Sequence, residues 1–229
     1  MTASPIALPP HWWNSWANRI TVGRLLLCFV VVALVVAASP KALAWAFWLT
    51  IAVIWMDGLD GYVARKRGES SVLGGVLDIL SDRIVEQVYW VTFAVLCWVP
   101  LWVPLVVITR GVLVDGVRSV ALQHGMAAFG VDSMMKSPLG VFLVSSRFSR
   151  ASYAVLKAAA FAFVIGAQWV LVSQAQWFGL SSLNTWSWVQ SVANACVWGA
   201  VFFCVVRGLP VLFQLNEFTQ QPSSSSSPP

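Results

Sequence analysis

The chain has 229 residues, of which 59% are hydrophobic and only 10% are charged. This composition, with a mean hydropathy of +0.76, excludes an ordinary soluble domain and predicts a polytopic membrane protein. The net charge of +5 would suit nucleic acid, but the basic residues mostly flank apolar runs, as is typical of membrane topology and contact with anionic lipid. We therefore expect membrane lipids, and no nucleic acid, as partners.

Six apolar runs follow one another along the chain and suit about six membrane-spanning helices with short loops. They cover residues 20–38, 42–56, 72–99, 103–123, 151–173 and 186–207. A Trp-rich segment before the first run predicts a short N-terminal interfacial helix, although a plain aromatic anchor fits equally well. The end of the sequence is rich in Ser and Pro, so we expect it to be disordered. The predicted fold is all-α, with an interfacial segment (1–18), a six-helix domain (19–210) and a tail (211–229).

The Lys and Arg residues predict how the chain is oriented in the membrane. They flank the start of the first run, lie between the second and third and between the fourth and fifth, and follow the sixth. The opposite connections carry only Lys41. This asymmetry predicts that both termini lie in the cytoplasm, and that the membrane is the cell (inner) membrane if the source is prokaryotic.

Four aspartates, Asp57, Asp60, Asp78 and Asp82, interrupt the apolar pattern of the second and third runs. If both segments are helical, each pair lies on one helix face, and the short connection makes the two helices antiparallel neighbours. The four carboxylates then converge at the cytoplasmic end of the helix pair, where like charges need neutralising cations. All-oxygen ligands favour Mg²⁺, Mn²⁺ or Ca²⁺. An ion relay, or salt bridges to Arg65 and Arg83, is the alternative.

The same stretch resembles the signature of the CDP-alcohol phosphatidyltransferases. Its eight specified positions read Asp57-x2-Asp60-Gly61-x2-Ala64-Arg65-x8-Gly74-x3-Asp78-x3-Asp82. A weaker similarity lies upstream in Asn18-x2-Thr21-x2-Arg24. The resemblance implies a six-helix homodimeric membrane enzyme of phospholipid biosynthesis. It would move a phosphatidyl group from a CDP-linked lipid, usually CDP-diacylglycerol, to a polar alcohol and release CMP.

The resemblance also implies roles for individual residues of the signature. Two divalent cations, Mg²⁺ or Mn²⁺, would be held by the four aspartates, and Asp82 would be the general base. The nucleotide site would be lined by Gly61, Ala64, Arg65 and Gly74. The alternative function is a divalent-metal-binding membrane protein, either a transporter or an inactive family member. The intact Asp82 and Arg65 favour the enzyme.

Basic residues in and beside the fourth and fifth runs bear on the acceptor alcohol. Arg110, Arg150 and Lys157 are the candidates for binding an acceptor phosphate, which suggests inositol phosphate or glycerol phosphate. Snorkelling towards the interface is the other interpretation. The segment around Arg110 is similar to a motif of phosphatidylglycerophosphate synthases, in which an acidic residue usually follows the arginine, whereas Gly111 follows here. The acceptor therefore stays open.

Overall fold

The computed structural model describes residues 15–69, 71–123, 147–177 and 183–213, and all regular structure in these ranges is helical. The six helices are α1 (Trp16–Ala37), α2 (Pro40–Arg67), α3 (Val72–Val95), α4 (Trp102–Gln123), α5 (Arg147–Trp177) and α6 (Leu183–Phe213). The predicted all-α, six-helix fold is confirmed. The domain boundaries at residues 18 and 210 stay predictions, since most of the N-terminal segment and the tail lies outside the described residues.

Within the described ranges, four helices are long and apolar enough to cross a membrane: α1, α2, Ala151–Ser173 within α5 and Ser187–Pro210 within α6. Charged side chains lower the hydropathy of the other two, because α3 carries Asp78, Asp82, Arg83 and Glu86 and α4 carries Arg110, Asp115 and Arg118. Ionisable residues in such helices usually face protein or water and mark a functional path. The chain is therefore a membrane protein with its charges concentrated in particular helices.

Local capping signals set the ends of the first two helices. Ser39 accepts a hydrogen bond from the Ala42 N–H at 3.2 Å, and Pro40 takes the first helical position of α2, where its missing N–H costs nothing. Gly68 ends α2 in the left-handed region at φ +66°, a conformation that glycine adopts without steric cost. The helix is thus continuous through the aspartate pair, as the one-face arrangement requires.

The chain forms two compact units. The first comprises the chain up to Thr92 together with Ile165–Trp186. In it α1 packs along α2, and Tyr89 of α3 is buried with its hydroxyl 3.0 Å from Oγ1 of buried Thr50. Gly166 permits the close approach of Phe47, whose ring lies 3.4 Å from the position that a Cβ would take.

The second unit comprises Phe93–Val164 and the chain from Ser187 onward. Phe93 and Phe161 pack edge to face with their ring centroids 6.0 Å apart. Trp102 and Trp198 pack with centroids 5.1 Å apart, so α4 and α6 are neighbours in this unit. Each unit has its own buried aromatic contacts.

Candidate active site

Three of the four predicted aspartates converge on one arginine of α1. Arg24 is almost fully buried, with 1% of its side chain exposed; its Nη1 pairs with Asp57 and lies 3.9 Å from Asp60, and its Nη2 donates to Asp82 at 3.0 Å. Asp57 and Asp82 are about half exposed, whereas Asp60 is buried. A buried cation surrounded by carboxylates offsets the repulsion between them.

Two further contacts orient Asp60. The hydroxyl of Thr21 lies 2.9 Å from its Oδ2, and the Gly61 N–H donates to its Oδ1 at 2.6 Å. Thr21 is itself buried, so the polar stretch near the start of α1 supplies part of the site. Both oxygens of this buried carboxylate are therefore held in place.

Sequence reasoning missed the role of Arg24, which it treated as a charge flanking the first span. The signal that could have found it is the spacing Asn18-x2-Thr21-x2-Arg24, which places three polar residues on one face of α1. The alternative interpretation was that Arg65 and Arg83 form salt bridges with the aspartates. In the structure Nη1 of Arg83 lies 3.5 Å from Oε2 of Glu86, and Arg65 lines a cavity beside the aspartate cluster.

The donor chemistry of the aspartates bears on a metal site. Among the described residues no three acidic, His or Cys side chains are arranged as a ready-made metal site. The donor set itself fits Mg²⁺ or Mn²⁺, since it is all oxygen.

A cavity of about 170 Å³ opens beside Asp60 and Asp78. Its walls include all four residues expected at the nucleotide site, namely Gly61, Ala64, Arg65 and Gly74. Gly74 lies at a tight point of the wall: a Cβ there would lie 3.1 Å from Oγ of Ser71 and 3.2 Å from Oδ1 of Asn18, two residues that also line the cavity. The helix pair and the start of α1 thus form a pocket with small residues on its walls.

Glu69, in the connection between α2 and α3, caps the N-terminus of α1. Its carboxylate accepts hydrogen bonds from the Ser15 hydroxyl at 3.0 Å and the Trp16 N–H at 2.8 Å, where the helix dipole favours negative charge. Desolvation acts to raise the pKa of Glu69, but the hydrogen bonds from Ser15, Trp16 and Ala17, with the charge of Arg67, hold the pKa below its ordinary value of 4.5. This contact ties the connection to α1 at the rim of the cavity.

The candidate acceptor residues belong to the second unit. Lys157 Nζ lies 5.8 Å from the ring centroid of Tyr153, and Arg207 Cζ lies 5.7 Å from the same centroid. Arg207 also donates to the Ser149 carbonyl at 3.3 Å. The structure therefore places Lys157 and Arg207 each near the ring of Tyr153; sequence reasoning treated Arg207 as a topology marker. Arg110 lines a separate cavity, and the side chain of Arg150 lies outside the described residues.

Comparison with known proteins identifies the family of the chain. The family model described as CDP-alcohol phosphatidyltransferase matches residues 14–206. Proteins named putative cardiolipin synthase in Mycobacterium tuberculosis and Mycobacterium bovis are 28% identical over 204 residues, covering 85% of this chain and 86% of theirs. A Mycobacterium tuberculosis protein named probable phosphatidylglycerophosphate synthase is 26% identical over 115 residues, covering 48% of this chain and 54% of its own.

The family match spans all six helices up to the last residues of α6 and contains every signature position. The chain therefore belongs to the CDP-alcohol phosphatidyltransferase family and is a membrane enzyme of phospholipid biosynthesis that transfers a phosphatidyl group from a CDP-linked lipid to an alcohol.

Proposed function

We propose that phosphatidyl transfer takes place at the aspartate cluster of the first unit, with Asp57, Asp60, Asp78 and Asp82 as ligands of two divalent cations, Mg²⁺ or Mn²⁺. The observation that carries this proposal is the convergence of three carboxylates on the buried Arg24, beside a cavity lined by the signature residues. When bound, the cations neutralise the diphosphate and stabilise the charge on the leaving CMP.

The cavity beside Asp60 and Asp78 suits the cytidine diphosphate part of the donor. Gly61, Ala64 and Gly74 leave room for the nucleotide because they carry at most one side-chain carbon. The guanidinium of Arg65 offers paired N–H donors that match phosphate oxygens. The lipid tails need no enclosed pocket if the donor remains in the bilayer.

Asp82 is the proposed general base. Its carboxylate is about half exposed and is held by Arg24 at 3.0 Å, so it stays accessible to an incoming hydroxyl. As the acceptor oxygen forms its bond to the phosphorus of the phosphatidyl group, its proton passes to Asp82 and the bond to CMP breaks. General-base assistance of this kind contributes about 10²–10⁴-fold to the rate.

We infer that the acceptor is an alcohol that bears a phosphate group. The names of the relatives support this, because cardiolipin and phosphatidylglycerophosphate both carry glycerol esterified to phosphate. Phosphatidylglycerol is the first acceptor to test, since the relatives that match most of the chain are named as cardiolipin synthases. Glycerol phosphate and inositol phosphate are the other acceptors. Arg110, Arg150 and Lys157 remain the proposed ligands of the acceptor phosphate.

The last part of the proposal concerns how the chain is oriented in the membrane and whether it forms a dimer. From the distribution of Lys and Arg we propose that both termini and the aspartate site face the cytoplasm. By analogy with the family we propose a homodimer. Labelling of single cysteines introduced at residues 41 and 66 would check the orientation, because only the second should react from the cytoplasmic side.

The test is CMP release from CDP-diacylglycerol by the purified full chain in detergent with Mg²⁺ or Mn²⁺. The acceptors are phosphatidylglycerol, glycerol 3-phosphate, inositol 1-phosphate, free inositol and serine. We expect release to depend on an acceptor that bears phosphate. Turnover with only inositol or serine would overturn the inferred acceptor class, and no release with any acceptor would contradict the proposed reaction and favour a protein that only binds metal.

Asp82→Asn tests the general base in the same assay. We expect CMP release to fall at least about 100-fold in a variant that still folds. The matched control is Asp115→Asn, which removes a carboxylate of α4 outside the cluster and should leave turnover near the parent rate. Full activity of the Asp82 variant would refute its assignment as the base.

A further inference from the structure

The second unit contains a cavity of about 350 Å³ between α4 and α6 that the aspartate site does not use. This volume is within the usual range of small-molecule sites, about 300–1,000 Å³. Its walls are almost entirely apolar, with Trp102, Leu105 and Leu113 from α4 and Val205 and Leu209 from α6. Such walls suit a hydrocarbon chain and offer little to the hydroxyl groups of a free sugar or polyol phosphate.

Arg110 is the one charged residue among those that line this cavity. Its Nε is buried and has no hydrogen-bond partner among the described residues. The side chain lies across Gly208 of α6 so closely that a Cβ there would come within 2.7 Å of the Arg110 Cγ. Only glycine at that position leaves room for Arg110, so the cation is accommodated by the neighbouring helix.

The cavity has a charged end and an apolar end. Gly208 lies two residues before the end of the apolar span Ser187–Pro210, so the Arg110 end is near one limit of this span. Trp102, at the other end, packs against Trp198 in the middle of the same span. Eight helical residues separate Trp102 from Arg110, a rise of about 12 Å, over which part of an acyl chain can lie along the wall.

We propose that this cavity binds one anionic glycerophospholipid, with its phosphate against Arg110 and one acyl chain along the apolar wall towards Trp102. A phosphate would accept hydrogen bonds from the half-buried guanidinium of Arg110, whose Nε has no partner among the described residues, and the acyl chain would cover walls that a free phosphorylated alcohol would leave bare. This inference rests on the proposed function, which assigns the acceptor phosphate to Arg110. It adds that this phosphate belongs to a lipid.

The experiment measures binding of phosphatidylglycerol with a fluorescent acyl chain to the full chain in a neutral detergent, without CDP-diacylglycerol. We expect Arg110→Gln to weaken binding about tenfold, the loss of one charge-assisted contact, and Arg110→Lys to weaken it less. Leu113→Trp, at a side chain that is 45% exposed, should also weaken binding by filling the cavity while keeping the charge. Lys41→Gln, at an exposed cation of α2, is the control and should bind like the parent.

Competition separates a lipid from a free phosphate. Short-chain phosphatidylglycerol should displace the probe, whereas glycerol 3-phosphate at the same concentration should not. Equal displacement by both ligands, or equal affinity of the Arg110→Gln variant and the parent, would overturn the inference. Because Asp82→Asn should lose turnover and keep lipid binding, failure of the reaction and failure of this site are distinguishable.

Discussion

Arg24 neutralises part of the negative charge of the aspartate cluster when no metal is bound, so replacing it by Gln should destabilise the protein. Removing one partner of a buried ion pair costs about 3–5 kcal/mol. Asp57 and Asp82 are 46% and 48% exposed, so solvent screening reduces the expected loss to about 2–3 kcal/mol. For a chain of this length that corresponds to a fall in unfolding temperature of about 4–12 °C.

The assay is thermal unfolding of the purified protein in EDTA and in saturating Mn²⁺. In EDTA the Arg24→Gln variant should unfold well below the parent. Mn²⁺ should restore most of the difference, because a cation that binds the folded state stabilises it by mass action. Adding Asp57→Asn to the variant should recover part of the loss in EDTA, since one repelling charge is removed.

Arg19→Gln is the matched control, because Arg19 lies on the same helix but is exposed and stacks over the ring of Trp16. It should change the unfolding temperature little and show no dependence on Mn²⁺. If Arg24→Gln unfolded at the parent temperature in EDTA, or if Mn²⁺ left its stability unchanged, the assignment of Arg24 as the compensating cation would be refuted.

Three further predictions concern residues around the site and in the core. Gly74→Ala should raise the KM for CDP-diacylglycerol several-fold, because the new Cβ crowds the cavity wall, while Gly116→Ala, with open space around it, should leave KM unchanged. Glu69→Gln should lower the unfolding temperature at neutral pH; since the folded pKa of Glu69 is lowered, its contribution is present above its ordinary value of 4.5 and is lost as the pH falls through the folded value. The two proteins should therefore unfold alike at low pH, and a difference independent of pH would contradict the ionic cap. Tyr89→Phe should cost about 1 kcal/mol in thermal unfolding through the lost contact with Thr50, and an unchanged stability would count against that hydrogen bond.

The aspartate arrangement on each helix could be predicted from local spacing. Residues three and four apart share a face of any α-helix, whatever surrounds it, so Asp57 with Asp60 and Asp78 with Asp82 needed only the helices to form. The short connection between α2 and α3 then left an antiparallel hairpin as the simplest arrangement. The four nucleotide positions came from the resemblance to the family, and the structure places them on one cavity.

The acceptor residues were less predictable. Their basic character was visible in the sequence, but the sequence did not show that Lys157 lies near the ring of Tyr153, as does Arg207, 50 positions later in the chain. Likewise the side chain of Arg110 packs closely against Gly208 of another helix. Contacts between distant helices leave no periodic trace in a single sequence.

The sequence by itself determined the membrane class, the approximate positions of the six described helices and the one-face placement of the aspartates, because hydropathy and helical periodicity act over a few residues. Only the tertiary structure decided which cation balances the acidic cluster. Arg24 is separated from Asp57 by 33 positions and from Asp82 by 58, and its spacing from Asn18 and Thr21 marks a polar face of α1 without showing what that face contacts. The packing of α1 along α2 buries Arg24 among the carboxylates. Arg24 pairs with the aspartates because it is buried beside them.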